Sequence, residues 1–175
     1  MLELRFIPFI AIGYPLWLLL RRGHLVKHKK KISLLNETVV QVFFIYILVV
    51  IYLTFRPFTF QIPFIGPRPF SFDTNLFYQL SHMADGYFHL QLLYSLGNIM
   101  MFVPFGMLAP VVFRPLRHPI LLIGSGFLFS LMIELTQALF TLTRYGTVDD
   151  LFFNTTGAVL GYFVYLYARS FEKSK

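Results

Sequence analysis

Residues 120–142 read ILLIGSGFLFSLMIELTQALFTL, and this stretch decides what kind of chain this is. It is 23 residues long and holds one ionisable group, Glu134. At ~1.5 Å per residue, a helix of that length crosses the ~30 Å hydrocarbon core of a bilayer. A carboxylate inside that core costs ~2.5–3.5 kcal/mol on insertion scales, so it persists only when paired or facing a cavity. One run of sequence therefore predicts both a membrane span and a functional site within it.

Composition agrees across the chain. Of 175 residues, 57% are hydrophobic and only 13% are charged, and the mean hydropathy is +0.66. About twice that share of charge is usual for a soluble domain, so the expected class is an all-α polytopic transmembrane helix bundle. The formal charge of +7 does not spread over a globular face, as nucleic-acid binding would require; the cations gather at the ends of apolar runs. There is no cysteine, which removes disulfides, thiolate catalysis and Cys-based metal sites.

Five apolar runs are long enough to matter: residues 4–20, 38–55, 92–113, 120–142 and 151–168. The first is not a cleavable signal, because its cations follow it and no small-residue cleavage site appears. Arg21, Arg22, Lys27, Lys29, Lys30, Lys31, Arg114, Arg117, Arg169, Lys173 and Lys175 fall on one side if the chain crosses five times with its N-terminus outside and its C-terminus inside. Arg5, Arg56, Arg68 and Arg144 then lie outside. If residues 4–20 lie in the interface, four spans remain and the same face stays outside. The expected organisation is residues 1–91 (two spans, a basic cytoplasmic loop and an outer segment), a core of three spans over 92–168, and a tail over 169–175.

The outer segment after Arg56 interleaves Pro57, Pro63, Pro67 and Pro69 with Phe58, Phe60, Phe64, Phe70 and Phe72. Four prolines exclude a regular helix, and the aromatics suit the headgroup region. Asp73 or Thr74 is positioned to cap a helix running from Asn75 into the third span. The segment reads either as an interfacial lid over the outer ends of the spans or as a stiff connector.

The polar residues of the C-terminal half share one depth. Asn98 lies about two turns into the third span, Glu134 about 12 Å from the outer end of the fourth, and Gln137 one turn above it on the same face. Ser130 extends that face inward, Asn154 lies about one turn into the fifth span, and Arg144, Asp149 and Asp150 occupy the turn above. Three helices and a loop thus aim polar groups at one outward-open volume. Pro104 frees the carbonyl of Met100, a defect tolerated where backbone is buried or lines a wet cavity. Gly97 and Gly106 permit close approach, and Gly157 with Gly161 forms a GxxxG face suited to another helix, including that of a second copy in a homodimer. Plainer roles are also available. Asn and Gln serve as interhelical glue, Asp149 and Asp150 as helix caps, and Glu134 as a partner for Arg144.

The run from Asn98 through Pro104 to Gly106, then Ser130, Glu134 and Gln137, then Arg144, Val148-Asp149-Asp150, Asn154, Gly157 and Gly161, resembles the VanZ-like family in order and spacing. The likeness covers residues 92–167; the first two spans carry no such motif. It implies a bacterial inner-membrane protein. Founding members of that family are associated with reduced susceptibility to the glycopeptide teicoplanin.

Three functions fit these residues. In the first, the outward cavity binds or modulates a cell-envelope lipid, a lipid-linked cell-wall precursor or a lipoglycopeptide, with Asn98, Gln137, Arg144, Asp149 and Asn154 as binding residues. In the second, Glu134 is the acid or base of a membrane enzyme, with Asp149 or Asp150 as second carboxylate; no clear nucleophile accompanies them. The third is proton-coupled transport, which the missing internal repeat disfavours. No cofactor, metal or nucleic-acid partner is expected. His82, Asp85 and His89 fall on one helical face but suit solvent better than a metal, and His24 and His28 suit water and anionic headgroups. P-loop, dinucleotide and zinc-protease motifs are absent from the sequence.

Overall fold

The computed structural model describes residues 6–27, 33–82 and 87–173. Its elements are α1 (Phe6–Lys27), α2 (Leu34–Phe55), β1 (Phe72–Asp73), α3 (Tyr78–His82), α4 (Phe88–Val112), a 3-10 turn (Arg114–Arg117), α5 (Pro119–Phe140), β2 (Gly146–Thr147) and α6 (Val148–Lys173). Among the described residues, four helices are long and apolar enough to cross a membrane: α2, α4, α5 and, over Val148–Phe171, α6. The chain is thus an all-α membrane bundle. It divides into two compact units, Met1–Phe58 and Thr59–Lys175. From Thr59 onward the Pro/Phe-rich segment belongs to the same unit as the last three long helices.

In the first unit, α1 and α2 form an antiparallel hairpin with paired rungs. Arg21 forms a two-point ion pair with Glu37, Nε to Oε1 at 3.1 Å and Nη2 to Oε2 at 2.8 Å. Trp17 Nε1 donates to Gln41 Oε1 at 2.9 Å and its ring stacks on Phe44 at 4.3 Å. Farther along, Gly13 meets Leu48 and Phe9 meets Tyr52. A planar guanidinium against a carboxylate gives both strength and orientation. Arg21 is therefore committed to Glu37 and is not a free cation of the basic loop. Residues 28–31 of that loop lie outside the described residues, as do Asp85 and Lys175.

In the second unit, α4 and α6 run parallel and α5 runs antiparallel between their ends. Small residues set the spacing. A Cβ on Gly157 would collide with the carbonyl of Ile99, one on Gly161 with that of Val103, and one on Gly106 with that of Ala158. Backbones this close are the usual outcome of small-xxx-small patterns in membranes, where packing rather than water drives association. The GxxxG face, read as suited to another helix, packs against α4 of the same chain. Gly97, by contrast, has open space beside it. A ring cluster of Phe102, Phe105 and Phe129 fills the interior, with Phe105 stacked on Phe129 at 5.6 Å.

α4 continues through Pro104 and Pro110 as a single helix of 25 residues. Met100, whose carbonyl Pro104 leaves without its helical donor, is 64% exposed. The helix expected from Asn75 into the third span is also interrupted. Asp73 does cap locally, accepting the amide of Asn75 at 3.0 Å, but α3 ends at His82 and α4 begins anew at Phe88. His82 is occupied locally: its ring stacks on Tyr78 at 4.1 Å, and Nδ1 lies 3.0 Å from Ser81 Oγ.

The outer segment is strapped to the α5–α6 connection. Phe60 bridges Thr141, the Gln61 amide donates to Phe140 O at 2.7 Å, and the Leu142 amide donates to Thr59 O at 2.9 Å. β1 then pairs in parallel with β2, Phe72 beside Gly146 and Asp73 beside Thr147. Prolines cannot supply ladder donors, so the pairing uses the residues between and after them. The segment thus packs on the α5–α6 connection.

Candidate functional site

The last turn of α5, the first turns of α4 and α6, and the loop between α5 and α6 enclose a cavity of about 140 Å³ lined by Tyr94, Gln137, Thr143, Arg144, Tyr145, Thr147 and Asp150. Its geometry starts from the entry into α6. Thr147 precedes the helix, and its hydroxyl accepts the amide of Asp150 at 3.1 Å, an N-cap to the third helical residue. In a complete capping box the acid at that third position would return to the cap's own amide. Here that amide donates to Glu134 Oε2 at 3.0 Å instead. The Asp150 carboxylate is thereby released toward α4, where Oδ1 accepts the hydroxyl of Tyr94 and, at 2.6 Å, Nδ2 of Asn98.

The seven residues singled out from sequence divide by position. Gln137, Arg144 and Asp150 line the cavity. Asn98 orients Asp150 from α4. Glu134 is 1% exposed, lies behind the wall and fixes Thr147 by accepting its amide. Arg144 is exposed and interacts electrostatically with both Glu134 and Asp150. Asn154 lies deeper, donating from Nδ2 to Ser130 Oγ at 2.9 Å as glue between α5 and α6, with Oδ1 buried and unpartnered by protein.

Asp149 serves the strap rather than the cavity. Its carboxylate accepts the amide of Phe77 at Oδ1 and that of Leu80 at Oδ2, the latter at 3.0 Å. Phe77 sits at φ 63°, a left-handed conformation that costs a bulky residue of order 1–3 kcal/mol. The charged acceptor on its amide and ring contacts with Phe152 and Phe153 hold it there.

Sequence reading missed four cavity residues and one that braces them. Tyr94 lies four residues before Asn98, so helical spacing alone puts both on one face, a signal that was available. Thr147 is recoverable as the first residue of a T-x-x-D cap. Thr143 and Tyr145 carried no signal beyond their place in the turn. Arg68 had none beyond being an outside cation. Its Nη1 donates to Thr141 O at 2.8 Å and to Arg144 O, and its guanidinium lies 4.0 Å from the centre of the Tyr145 ring. Its Nε and Nη2 are buried without a protein partner. One arginine of the strap therefore shapes the loop that presents Arg144.

A family model described as VanZ/LLP1 matches residues 43–169. The chain belongs to this family, and the match runs from the middle of α2 to near the end of α6. No curated protein and no solved structure matches the chain.

Proposed function

We propose that the cavity binds the polar headgroup of a cell-envelope lipid, or the corresponding polar part of a lipid-linked cell-wall precursor or lipoglycopeptide, at the outer face of a bacterial cytoplasmic membrane. The observation that carries this is the juxtaposition of Arg144 and Asp150 on the wall of one small polar cavity. A guanidinium suits a phosphate or carboxylate, and a hydrogen-bonded carboxylate suits a hydroxyl or ammonium. Headgroups offer both. Size narrows the reading further: about 140 Å³ is below the roughly 300–1,000 Å³ of pockets that enclose drug-sized ligands. The cavity thus takes a group, not a whole antibiotic, and any effect on teicoplanin acts through what that group belongs to.

α1 runs along α2 through four successive rungs, so we read it as a fifth crossing that accompanies α2 rather than a helix lying in the interface. A second function is favoured by the Asp150–Tyr94 hydrogen bond at the cavity wall, an arrangement suited to proton transfer. In that reading Asp150, rather than the recessed Glu134, is the acid or base acting on a lipid-linked substrate.

The test compares wild type, Asp150→Asn, Arg144→Ala and Lys29→Ala in a susceptible Gram-positive host at matched membrane levels. Wild type and Lys29→Ala are expected to raise the inhibitory concentration of teicoplanin, and the two cavity variants are not. Protection that survives both cavity substitutions would remove the proposal. Turnover of a lipid-linked precursor that disappears in Asp150→Asn while binding persists would favour the enzyme.

A further inference from the structure

A second cavity, of about 250 Å³, opens at the opposite end of the three-helix unit, lined by Val111, Arg117, Tyr165, Ala168 and Arg169. We propose that it is a phosphate site for an anionic phospholipid of the inner leaflet. Nothing in the outer cavity or its function requires it.

Depth is the first argument. Asp150 at the outer cavity and Arg169 at this one lie on the same helix, 19 residues apart. At ~1.5 Å per residue they are separated by about 28 Å along α6, close to the thickness of a hydrocarbon core. When one cavity sits at the outer headgroups, the other sits at the inner ones. Arg114, Arg117 and Arg169 also mark this end as cytoplasmic by the positive-inside rule.

Chemistry is the second. Two guanidinium groups line the cavity, and no carboxylate does among the described side chains. Both arginines are held in place. Arg117 Nε donates to Pro110 O at 3.2 Å, and Arg117's own carbonyl accepts the hydroxyl of Tyr162 at 2.6 Å. Arg169 Nη1 donates to Tyr165 Oη at 3.3 Å, and the Tyr165 ring stacks on that of Tyr162 at 5.8 Å. These bonds use one nitrogen of each guanidinium and leave the fork of the other donors for a phosphate, which bridges two arginines readily. Val111 and Ala168, both exposed, supply an apolar margin along which the glycerol and first acyl carbons fit. Basic pockets between membrane helices on the cytoplasmic side recognise anionic headgroups in this manner.

The test uses the full chain purified in mild detergent, with lipid retention read by native mass spectrometry and stability by thermal melting. Phosphatidylglycerol, phosphatidylcholine and inorganic phosphate are added separately. Wild type is expected to retain phosphatidylglycerol at least 5-fold over phosphatidylcholine at equal concentration, an estimate based on about 1 kcal/mol per cation. Arg169→Gln, at a half-exposed helix end, is expected to reduce that preference to near parity, with Arg117→Lys giving a partial loss because charge remains but the fork does not. Arg56→Gln, an exposed arginine that lines neither cavity, is expected to keep it. Equal retention of both lipids by wild type, or a preference unchanged in Arg169→Gln and Arg117→Lys, would overturn the site. Stabilisation by millimolar inorganic phosphate that matches the lipid would overturn the lipid as its source.

Discussion

The backbone amide of Thr147 points at Glu134, 3.0 Å from Oε2, and not at Asp150 three residues ahead of it. That single diversion separates two carboxylates that look interchangeable in sequence. Glu134 becomes the buried anchor of the α6 entry, and Asp150 becomes the carboxylate that lines the cavity. The cost of placing Glu134 in a buried position is thus partly offset by the hydrogen bond from the Thr147 amide, worth about 0.5–1.5 kcal/mol.

Glu134→Gln keeps a carbonyl oxygen for the Thr147 amide and is expected to retain most of the function, whereas Asp150→Asn is expected to lose it. Glu134→Ala leaves that amide buried without an acceptor and should destabilise by about 1–3 kcal/mol. Melting of the purified variants and the teicoplanin assay together decide. Loss of protection in Glu134→Gln as complete as in Asp150→Asn would show that the Glu134 carboxyl itself does the chemistry.

Asp149→Ala removes the acceptor shared by the Phe77 and Leu80 amides and releases a left-handed phenylalanine. Hydrogen exchange at residues 77–80 is expected to rise at least 10-fold, with little change in the middle of α5. Exchange that stays as slow as in wild type would mean that the aromatic contacts of Phe77 suffice.

Arg68→Lys keeps the charge but loses the planar guanidinium that stacks on Tyr145 and whose Nη1 reaches the Thr141 and Arg144 carbonyls. A loss of about 1–2 kcal/mol is expected from weakened charged hydrogen bonding and cation–π contact. Limited proteolysis should cut residues 60–70 and 141–146 faster, and both sites should respond together. Cleavage of the strap alone would show that the α5–α6 loop holds its shape unaided.

Gly157→Val drives a branched side chain into the Ile99 carbonyl. Overpacking of a rigid contact costs typically 1–3 kcal/mol, and a backbone obstacle places this variant at the upper end. The expected outcome is a sharply reduced membrane level and melting temperature. Gly97→Ala, with open space beside it, is the control and should stabilise the helix by up to about 1 kcal/mol. Equal behaviour of the two would refute the close α4–α6 packing.

The membrane class, the long apolar helices and the polar cluster were legible because each has a cost that sequence exposes. A 23-residue apolar run, an acid within it and a glycine pair all stand out against their neighbours. Three of the seven chosen residues line the cavity, and the others brace it, join helices or hold the strap. Sequence supplied depth and face but not the choice among hydrogen-bond partners, which depends on where a backbone amide points. The strap's pairing with the α5–α6 connection was out of reach for another reason. It rests on two-residue strands and an arginine reaching two carbonyls, and neither leaves a period or composition to read. The GxxxG pair was read correctly as a close-packing face, but sequence cannot tell a neighbouring helix of one chain from that of another copy.

The strap also imposes an order on how the molecule is made. Thr59 meets Thr143, 84 positions later, and Phe77 meets Asp149, 72 positions later. During synthesis, residues 59–82 emerge while their partners are still unwritten. Contacts of such sequence separation close late, because the loop between them must be ordered first. The cavity therefore exists only once α6 has entered the bilayer, and a nascent chain stalled after α5 displays an aromatic strap with no seat. Insertion of the final helix completes the site and shields its most adhesive segment in the same step.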